Sequence, residues 1–535
     1  MARVTIMAPV IIFKPSGTRV SVDEETTVLE ASRAVGLHLS AECGGRGSCG
    51  KCAVIMTPSP EPNARDLEHL SSTRIERGLR LACQHTVVRN THVTIPRSEG
   101  AVKILEQGKT TGDWSIDETQ LGQYGVAVDL GTTTVVAYLM DLSTGVQVAH
   151  AATLNPQIAF GEDVLSRVQY ALTGEDKNRL LQQRVVESIQ QMTEQMSAES
   201  GVDLKDVTRI AVVGNTVMQH LFLGADVEPL SRAPFEPSVS EGVCIKGKEI
   251  GLDGLPAIDV HVAPNIARFV GGDTLGFILS QRLDRADDLV LGIDIGTNGE
   301  IVLSDRGTLY CCSTAAGPAL EGATITNGMR GQSGAVEHVE IHTDGTPEIS
   351  VIGDEPPRGF CGSAIVDIVA EMKTSGIIDK SGRMDSSAPR IVKRNDGQLA
   401  YVVVQKGEHG SERDLLFTQK DVRQIQLAKA AIHTGTVILL REKGYSSEDM
   451  DRLLLAGAFG TYIRPESALE IGLLPSVQLG RIDAVGNAAG EGAKMLLLSG
   501  TARSEVSALA RNTHYVDLAT HPSFQDTLMA SIDFP

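Results

Sequence analysis

No apolar run in this 535-residue chain approaches the roughly 18 residues that cross a bilayer as a helix. The opening MARVTIMAPVIIFKPSG also lacks the order of charged, apolar and small residues that marks a cleavable signal. Both absences lead to the expectation of a cytoplasmic protein. Basic side chains are in deficit: 48 Lys and Arg stand against 67 Asp and Glu, a formal charge of −19. A field of that sign repels phosphate backbones and anionic lipid surfaces, so neither nucleic acid nor membrane is an expected partner. Compositional extremes are missing too. A hydrophobic share of 42%, a charged share of 21%, 54 Gly and 21 Pro exclude disordered and collagen-like chains. The length exceeds what one core supports, so three or four domains are expected.

What is present begins with cysteine. Of the eight, Cys43, Cys49, Cys52 and Cys83 fall near the N-terminus, and Cys244, Cys311, Cys312 and Cys361 are scattered over the rest. The first group, in AECGGRGSCGKCAV and RLACQHTV, has the spacing C-x5-C-x2-C and then C-x30-C. In a reducing compartment such a set points to metal rather than disulfides. A zinc ribbon pairs two C-x2-C knuckles, and only Cys49 with Cys52 forms one, which leaves zinc or plain buried cysteines as the weaker alternatives. A [2Fe–2S] cluster asks for more: the chain must wrap a small diiron unit closely. Gly44, Gly45, Gly47 and Gly50 permit that, with backbone N–H groups turned to the sulfurs and Cys83 closing the fourth position from a distant strand. VTIMAPV and TRVSV read as a strand pair, and TVLEASRAVGLHL opens on a capping-box pattern, Thr27 with Glu30, before a helical apolar stripe. Residues 3–97 thus resemble the β-grasp [2Fe–2S] ferredoxins, with the five-residue first gap of the adrenodoxin-like branch. The resemblance implies a one-electron carrier in a domain spanning 1–97, followed by a polar, flexible linker at 98–120 that holds Trp114.

Beyond the linker, YGVAVDLGTTTVVAYLMDLSTG reads as strand, tight turn and strand, and LVLGIDIGTNGEIVLSDRG repeats the design about 165 residues on. In each copy a buried strand ends in a carboxylate, Asp129 or Asp294, placed where it can hold hydrated Mg²⁺. Gly131 or Gly296 lets backbone approach phosphate oxygens, and Thr132, Thr133, Thr134 or Thr297 and Asn298 supply donors. A third element, DRLLLAGAFGTYIRP, runs from a strand into Gly457, Ala458, Phe459 and Gly460, small enough for a purine to lie on backbone. RIAVVGNTVMQHLFLG, with Gly214, Asn215 and Thr216, is its weaker echo, and AVGNAAGEGAKMLLLSG gives a helix whose small residues suit close packing between lobes. Together these resemble the phosphate-1, phosphate-2, adenosine and connecting motifs of the actin, sugar kinase and Hsp70 superfamily. The resemblance implies two RNase-H-like lobes closing on Mg·ATP, at 121–286 and 287–535, the second with an insertion and a C-terminal tail. No Walker-A string is present, since the GK pairs at Gly50, Gly108 and Gly247 lack its context, and no sugar-kinase base is identifiable.

Other features have plainer readings. Adjacent Cys311 and Cys312 point to opposite faces of a strand and read as packing residues, as does buried Cys361. VEHVEIH, with His338 and His342, alternates as a strand rather than a metal-binding helix face. The methionines of RLLQQRVVESIQQMTEQM sit at core spacing. Gly317, Glu321 and Gly322, and Gly271, Gly272 and Asp273, either line the nucleotide cleft or punctuate elements. The whole arrangement resembles the reductive activators of corrinoid proteins. That family implies an ATP-hydrolysing activator that takes an electron from a reductase and passes it through the cluster to a Co(II) corrinoid protein, restoring Co(I) for methyl transfer, with a homodimer possible. Two alternatives stand beside it: an activator of a radical dehydratase, and a redox-sensing ATP-binding module.

Overall fold

The computed structural model describes residues 8–535 apart from positions 24, 38, 40, 42–44, 48, 49, 71, 96–104, 106, 112–114, 118–121, 256 and 297. Trp114, Thr297, Gly44, Cys43 and Cys49 therefore lie outside the described residues. The chain divides into two compact units, residues 1–101 with 156–162, and residues 102–155 with 163–535.

The small unit is a five-stranded sheet in the order Arg19–Ser21, Val10–Lys14, Thr91–Thr94, Ala53–Thr57, Leu79–Leu81. Val10–Lys14 runs antiparallel to Arg19–Ser21 and parallel to Thr91–Thr94. Among the described residues the first strand is Val10–Lys14, positions 4–7 of VTIMAPV lying outside them, and alternation fixes its faces: Ile11 and Phe13 are buried while their neighbours are less so. Helix Val28–Ala34 carries the expected capping box, with Glu30 N–H donating to Thr27 Oγ1 at 3.2 Å and Thr27 N–H to Glu30 Oε2 at 2.8 Å. Its Val28 and Leu29 join Ile11, Phe13, Val54, Leu81 and Val93 in one core. This is the grasp of a helix by a mixed sheet.

The large unit contains the same sheet built twice. Tyr124–Leu130, Thr134–Asp141 and Gln147–Leu154 form an antiparallel meander, extended on the other side by parallel Val207–Gly214 and Asp259–Val262. Leu289–Ile295, Gly299–Asp305 and Thr308–Thr314 repeat the meander, extended by parallel Arg452–Ala456 and Ile482–Gly486. The strand-turn-strand repeat read from sequence is the first hairpin of each sheet. Two further three-stranded sheets lie within 335–418, the region of the expected insertion. VEHVEIH falls on the strand Ala335–Ile341, with His338 Nδ1 2.9 Å from buried Asp367. Helix Glu175–Ser200 buries Met192 and Met196 with Leu181, Val185 and Ile189, as its spacing predicts.

Helices Gly272–Gln281 and Ala488–Leu498 cross at glycine. A Cβ on Gly492 would stand 2.2 Å from Gly276 Cα, so backbone meets backbone there. The stretch 98–120 departs from expectation over its described part. Lys109 N–H donates to Val485 O at 2.8 Å, Thr111 N–H to Ser280 O at 2.8 Å, and Asp117 N–H to Leu498 O at 3.0 Å. Main-chain pairing holds this stretch to the large unit, and polar composition alone does not reveal such pairing. Among the described residues no helix is long and apolar enough to cross a membrane.

Candidate nucleotide cleft and cluster loop

The two hairpin turns of the large unit open on one cleft. Asp129, Gly131, Thr132, Thr133 and Thr134 line it from the first, and Asp294, Gly296 and Asn298 from the second, with Gly457, Ala458 and Phe459 alongside. Gly131 cannot be replaced without cost, since a Cβ there would fall 2.7 Å from Thr134 O. The turn's carbonyls are engaged on the protein side: Asn155 Nδ2 donates to Gly131 O at 2.8 Å, Arg167 to Thr132 O, and Asn155 N–H to Thr133 O at 2.9 Å. Successive N–H groups of such a turn, with its carbonyl oxygens engaged by protein, are the kind of donor set that binds anions. Gly457 has φ +81°, and its missing Cβ would lie 2.5 Å from Asp294 Oδ1. Gly460 does not line the cleft as expected of it. One turn into the helix Gly457–Tyr462, it packs on Leu455.

The cleft is acidic, and burial raises the pKa of its carboxylates together. Burial pushes the Asp129 carboxyl up to about 7, an effect opposed by the Asn487 hydrogen bond and reinforced by Asp273. Burial, then Asp273 and Asp129, raises Asp294 to about 7. Burial takes Asp273 to about 6 and Glu300 well above the usual carboxylate range. Carboxylates crowded this way favour a divalent cation, whose charge restores their ionised forms. The chemistry of this donor set is that of a site a divalent cation would neutralise.

Several lining residues escaped the motif reading: Asn487, Glu300, Arg330 and Glu337. Asp273 and Glu321, left between cleft and punctuation, face the cleft, whereas Gly271 and Gly272 are packing positions whose Cβ atoms would meet Gly214 O and Gln219. Two asparagines had a legible signal. Val213-Gly214-Asn215 and Val485-Gly486-Asn487 are the same V-G-N string at the ends of parallel strands, one in each repeated sheet. Each Asn caps the following helix and reaches back to the first hairpin, Asn215 Nδ2 to Thr132 Oγ1 at 2.9 Å and Asn487 Nδ2 to Asp129 Oδ2 at 2.9 Å. Cys361 also lines the cleft, its thiol raised by burial. Cys311 and Cys312 turn into different cores, as opposite faces of a strand require.

In the small unit, Cys52 Sγ and Cys83 Sγ stand 3.3 Å apart in the core. That is too long for a disulfide of about 2.05 Å and near the ~3.8 Å expected of two thiolates on one tetrahedral ion with bonds of ~2.3 Å. The Cys52 hydrogen bond draws the Cys83 thiol down to about 6, against burial and with help from Gln84. Gly45, Gly47 and Gly50 all have positive φ, at +95°, +74° and +68°. Gln84 Nε2 donates to Gly45 O at 3.2 Å, and His69 Nε2 lies 3.0 Å from Gly47 O. A loop with three positive-φ glycines beside two paired sulfurs fits an iron–sulfur cluster; Cys43 and Cys49 complete the motif in sequence.

Comparisons with known proteins match family models along the chain. Residues 11–88 match the family model described as a 2Fe-2S iron-sulfur cluster binding domain, 124–286 the RACo middle region, and 288–535 the C-terminal domain of RACo, the ASKHA domain. The chain is 32% identical to the corrinoid activation enzyme RamQ of Eubacterium limosum over 98% of this chain and 99% of that protein. It is 26% identical to the [Co(II) methylated amine-specific corrinoid protein] reductase of Methanosarcina barkeri over 77% of each. Among solved structures, a reductive activator for corrinoid,iron-sulfur protein aligns over 98% of both chains at 30% identity with a TM-score of 0.70.

Proposed function

The chain belongs to the RACo family of reductive activators of corrinoid proteins, and from that premise we propose that it passes one electron through its cluster domain to a Co(II) corrinoid protein, with ATP driving the step. The observation that carries this reading is the pairing within one chain of a cysteine loop and an acidic two-hairpin cleft. A cluster cannot spontaneously reduce an acceptor whose potential lies well below its own. ATP can help by favouring, through its differential binding, a conformation in which the acceptor is easier to reduce. Two repeated sheets with a ligand cleft supply such a switch.

Within the cleft, Asp129 and Asp294 would hold Mg²⁺, the Thr132–Thr133 and Gly296–Asn298 turns the phosphates, and Gly457–Phe459 the adenosine. Mg²⁺ would supply charge neutralisation on the phosphates. In the small unit Cys43, Cys49, Cys52 and Cys83 would hold the [2Fe–2S] cluster, which carries the single electron. We read 121–286 and 287–535 as the two lobes. An electron-donating reductase, a homodimer and a cytoplasmic location belong to the same reading. Cys52 and Cys83 lie in a unit with its own core, which speaks against the radical-dehydratase arrangement, where the cluster is expected at an ATPase subunit interface. The test is to mix the protein with an oxidised corrinoid protein, a low-potential reductant and Mg·ATP and follow the cobalt absorbance. Co(I) should appear only with ATP, and its failure to do so would refute the reading.

A further inference from the structure

We propose that Asn487 is a positioning residue for Asp129 and that the strap at 107–109, which follows the cluster unit in sequence, locks Asn487 in place; the inference rests on the cleft being the nucleotide site.

Asn487 performs three tasks with one planar amide. Its Oδ1 accepts from Gly490 N–H at 2.8 Å and caps the helix Ala488–Leu498. Its Nδ2 donates to Asp129 Oδ2 at 2.9 Å and to Tyr138 Oη at 3.1 Å. An amide combines one acceptor with two donors on a fixed plane, so satisfying the cap and the tyrosine also aims a donor at Asp129. That carboxylate otherwise faces Asp273 and Asp294, which repel it.

The backbone of Asn487 is gripped by the strap. Its N–H donates to Gln107 O at 2.9 Å, Lys109 N–H donates to Val485 O at 2.8 Å, and Gly108 bridges Gly486. Neither glycine has room for a side chain. A Cβ on Gly108 would lie 2.5 Å from Asn487 O, and one on Gly486 would lie 2.4 Å from Gln107 O. Side chains close a second path: Gly108 N–H donates to Glu491 Oε1 at 3.3 Å, Glu491 pairs with Lys494 at 2.7 Å, and Lys494 Nζ sits 4.1 Å from the Tyr138 ring centroid. Leu105, two residues ahead of Gln107, lines the cleft itself. Strap, cap and carboxylate therefore form one joint. Lifting the strap frees the Asn487 N–H and lets its amide swing away from Asp129, so a pull on the segment leading from the cluster unit is delivered to the nucleotide site.

The test uses the full-length, cluster-loaded chain and compares it with Asn487→Ser, Asn487→Asp, Gly108→Ala and Gly480→Ala, the last a position with open space around it. Ser and Asp both keep a helix-capping acceptor but lose the amide donors. Both variants should lower kcat for ATP hydrolysis about tenfold to a hundredfold, with the cluster absorbance unchanged. Their KM should move less than about threefold, the split expected when transition-state geometry rather than binding is lost. Gly108→Ala should lower kcat in the same sense, and Gly480→Ala should not. Unmodified kcat in Asn487→Ser or Asn487→Asp would reduce Asn487 to a cap and overturn the positioning role. Unmodified kcat in Gly108→Ala would overturn the strap's part, and this variant still reads the joint if an Asn487 variant fails to fold. No ATP turnover in the unmodified chain would strike the functional reading instead, and is read separately there.

Discussion

Thr133 Oγ1 donates to a Glu321 carboxylate oxygen at 3.2 Å, joining the first hairpin turn to the short 3-10 helix Pro318–Glu321 that lies 188 residues on. A hydrogen bond to a charged group is worth about 1.5–3 kcal/mol, yet a carboxylate beside phosphates also repels them. The contact therefore serves the shape of the turn more than the affinity for nucleotide. Glu321→Ala should lower kcat for ATP hydrolysis about tenfold without weakening Mg·ATP binding, measured by titration calorimetry. Weaker binding in that variant would contradict the assignment of its role.

The cluster and the nucleotide site should be separable by mutation, because each sits in its own unit with its own core. Cys83→Ser replaces a thiol already drawn to about 6 with a hydroxyl that stays protonated. Visible absorbance and bound iron should fall sharply while Mg·ATP binding survives. Asp294→Asn should do the reverse, keeping the cluster spectrum and abolishing ATP-driven Co(I) formation. Joint loss in either variant, with the fold intact by circular dichroism, would contradict the separation.

The parts of the molecule legible in its sequence are those where local chemistry and fold coincide. The Thr27–Glu30 cap, the strand ending in Asp129 and its echo at Asp294 needed only spacing and residue type. The carboxylate of Glu300 and the amide of Asn487 were not legible as site residues, and Asp273 was legible only as one of two readings, because each owes its place to a long-range contact. Asp273 begins a helix that reaches the cleft through packing on Ala488–Leu498, and Asn487 lies 358 residues from the Asp129 it bonds. The repeated V-G-N string carried the missing signal for Asn487. The strap misled for a related reason: its residues are polar, but it is held through main-chain hydrogen bonds, to which side-chain composition is blind.

Gly492 marks a backbone-to-backbone approach between two helices of the large unit. A Cβ there would stand 2.2 Å from Gly276 Cα and 2.4 Å from its carbonyl oxygen, and neither atom can rotate away. Alanine gains about 1 kcal/mol in helix propensity over glycine, but forcing two packed helices apart costs about 1–3 kcal/mol or more, and it exposes apolar neighbours such as Leu275 and Met495. The packing term should win. Gly492→Ala should lower the thermal midpoint by several degrees, read by differential scanning fluorimetry, with the cluster spectrum intact. An unchanged midpoint would mean that the crossing can relax at no cost.

His433 should make the C-terminal tail acid-sensitive. It lies on helix Gln419–Glu442 with Nδ1 3.1 Å from Ser531 Oγ, and beside it Lys429 Nζ donates to Asp533 O. Burial, then the charges of Lys429 and Arg441, pulls its pKa from 6.5 down to about 4. The sign follows from proton counting. Between those values the unfolded chain takes up a proton that the folded chain refuses, so this group costs nothing above about pH 6.5 and destabilises increasingly as the pH falls towards 4. At 1.36 kcal/mol per unit the full loss is at most about 3 kcal/mol. Asp129, Asp273 and Asp294 act in the opposite direction, because their raised values make the folded chain bind protons first. The informative quantity is therefore the difference between the unmodified chain and His433→Gln. Thermal midpoints measured from about pH 7.5 to 4.5 should fall less steeply in the variant, and parallel curves would assign the acid sensitivity to other groups.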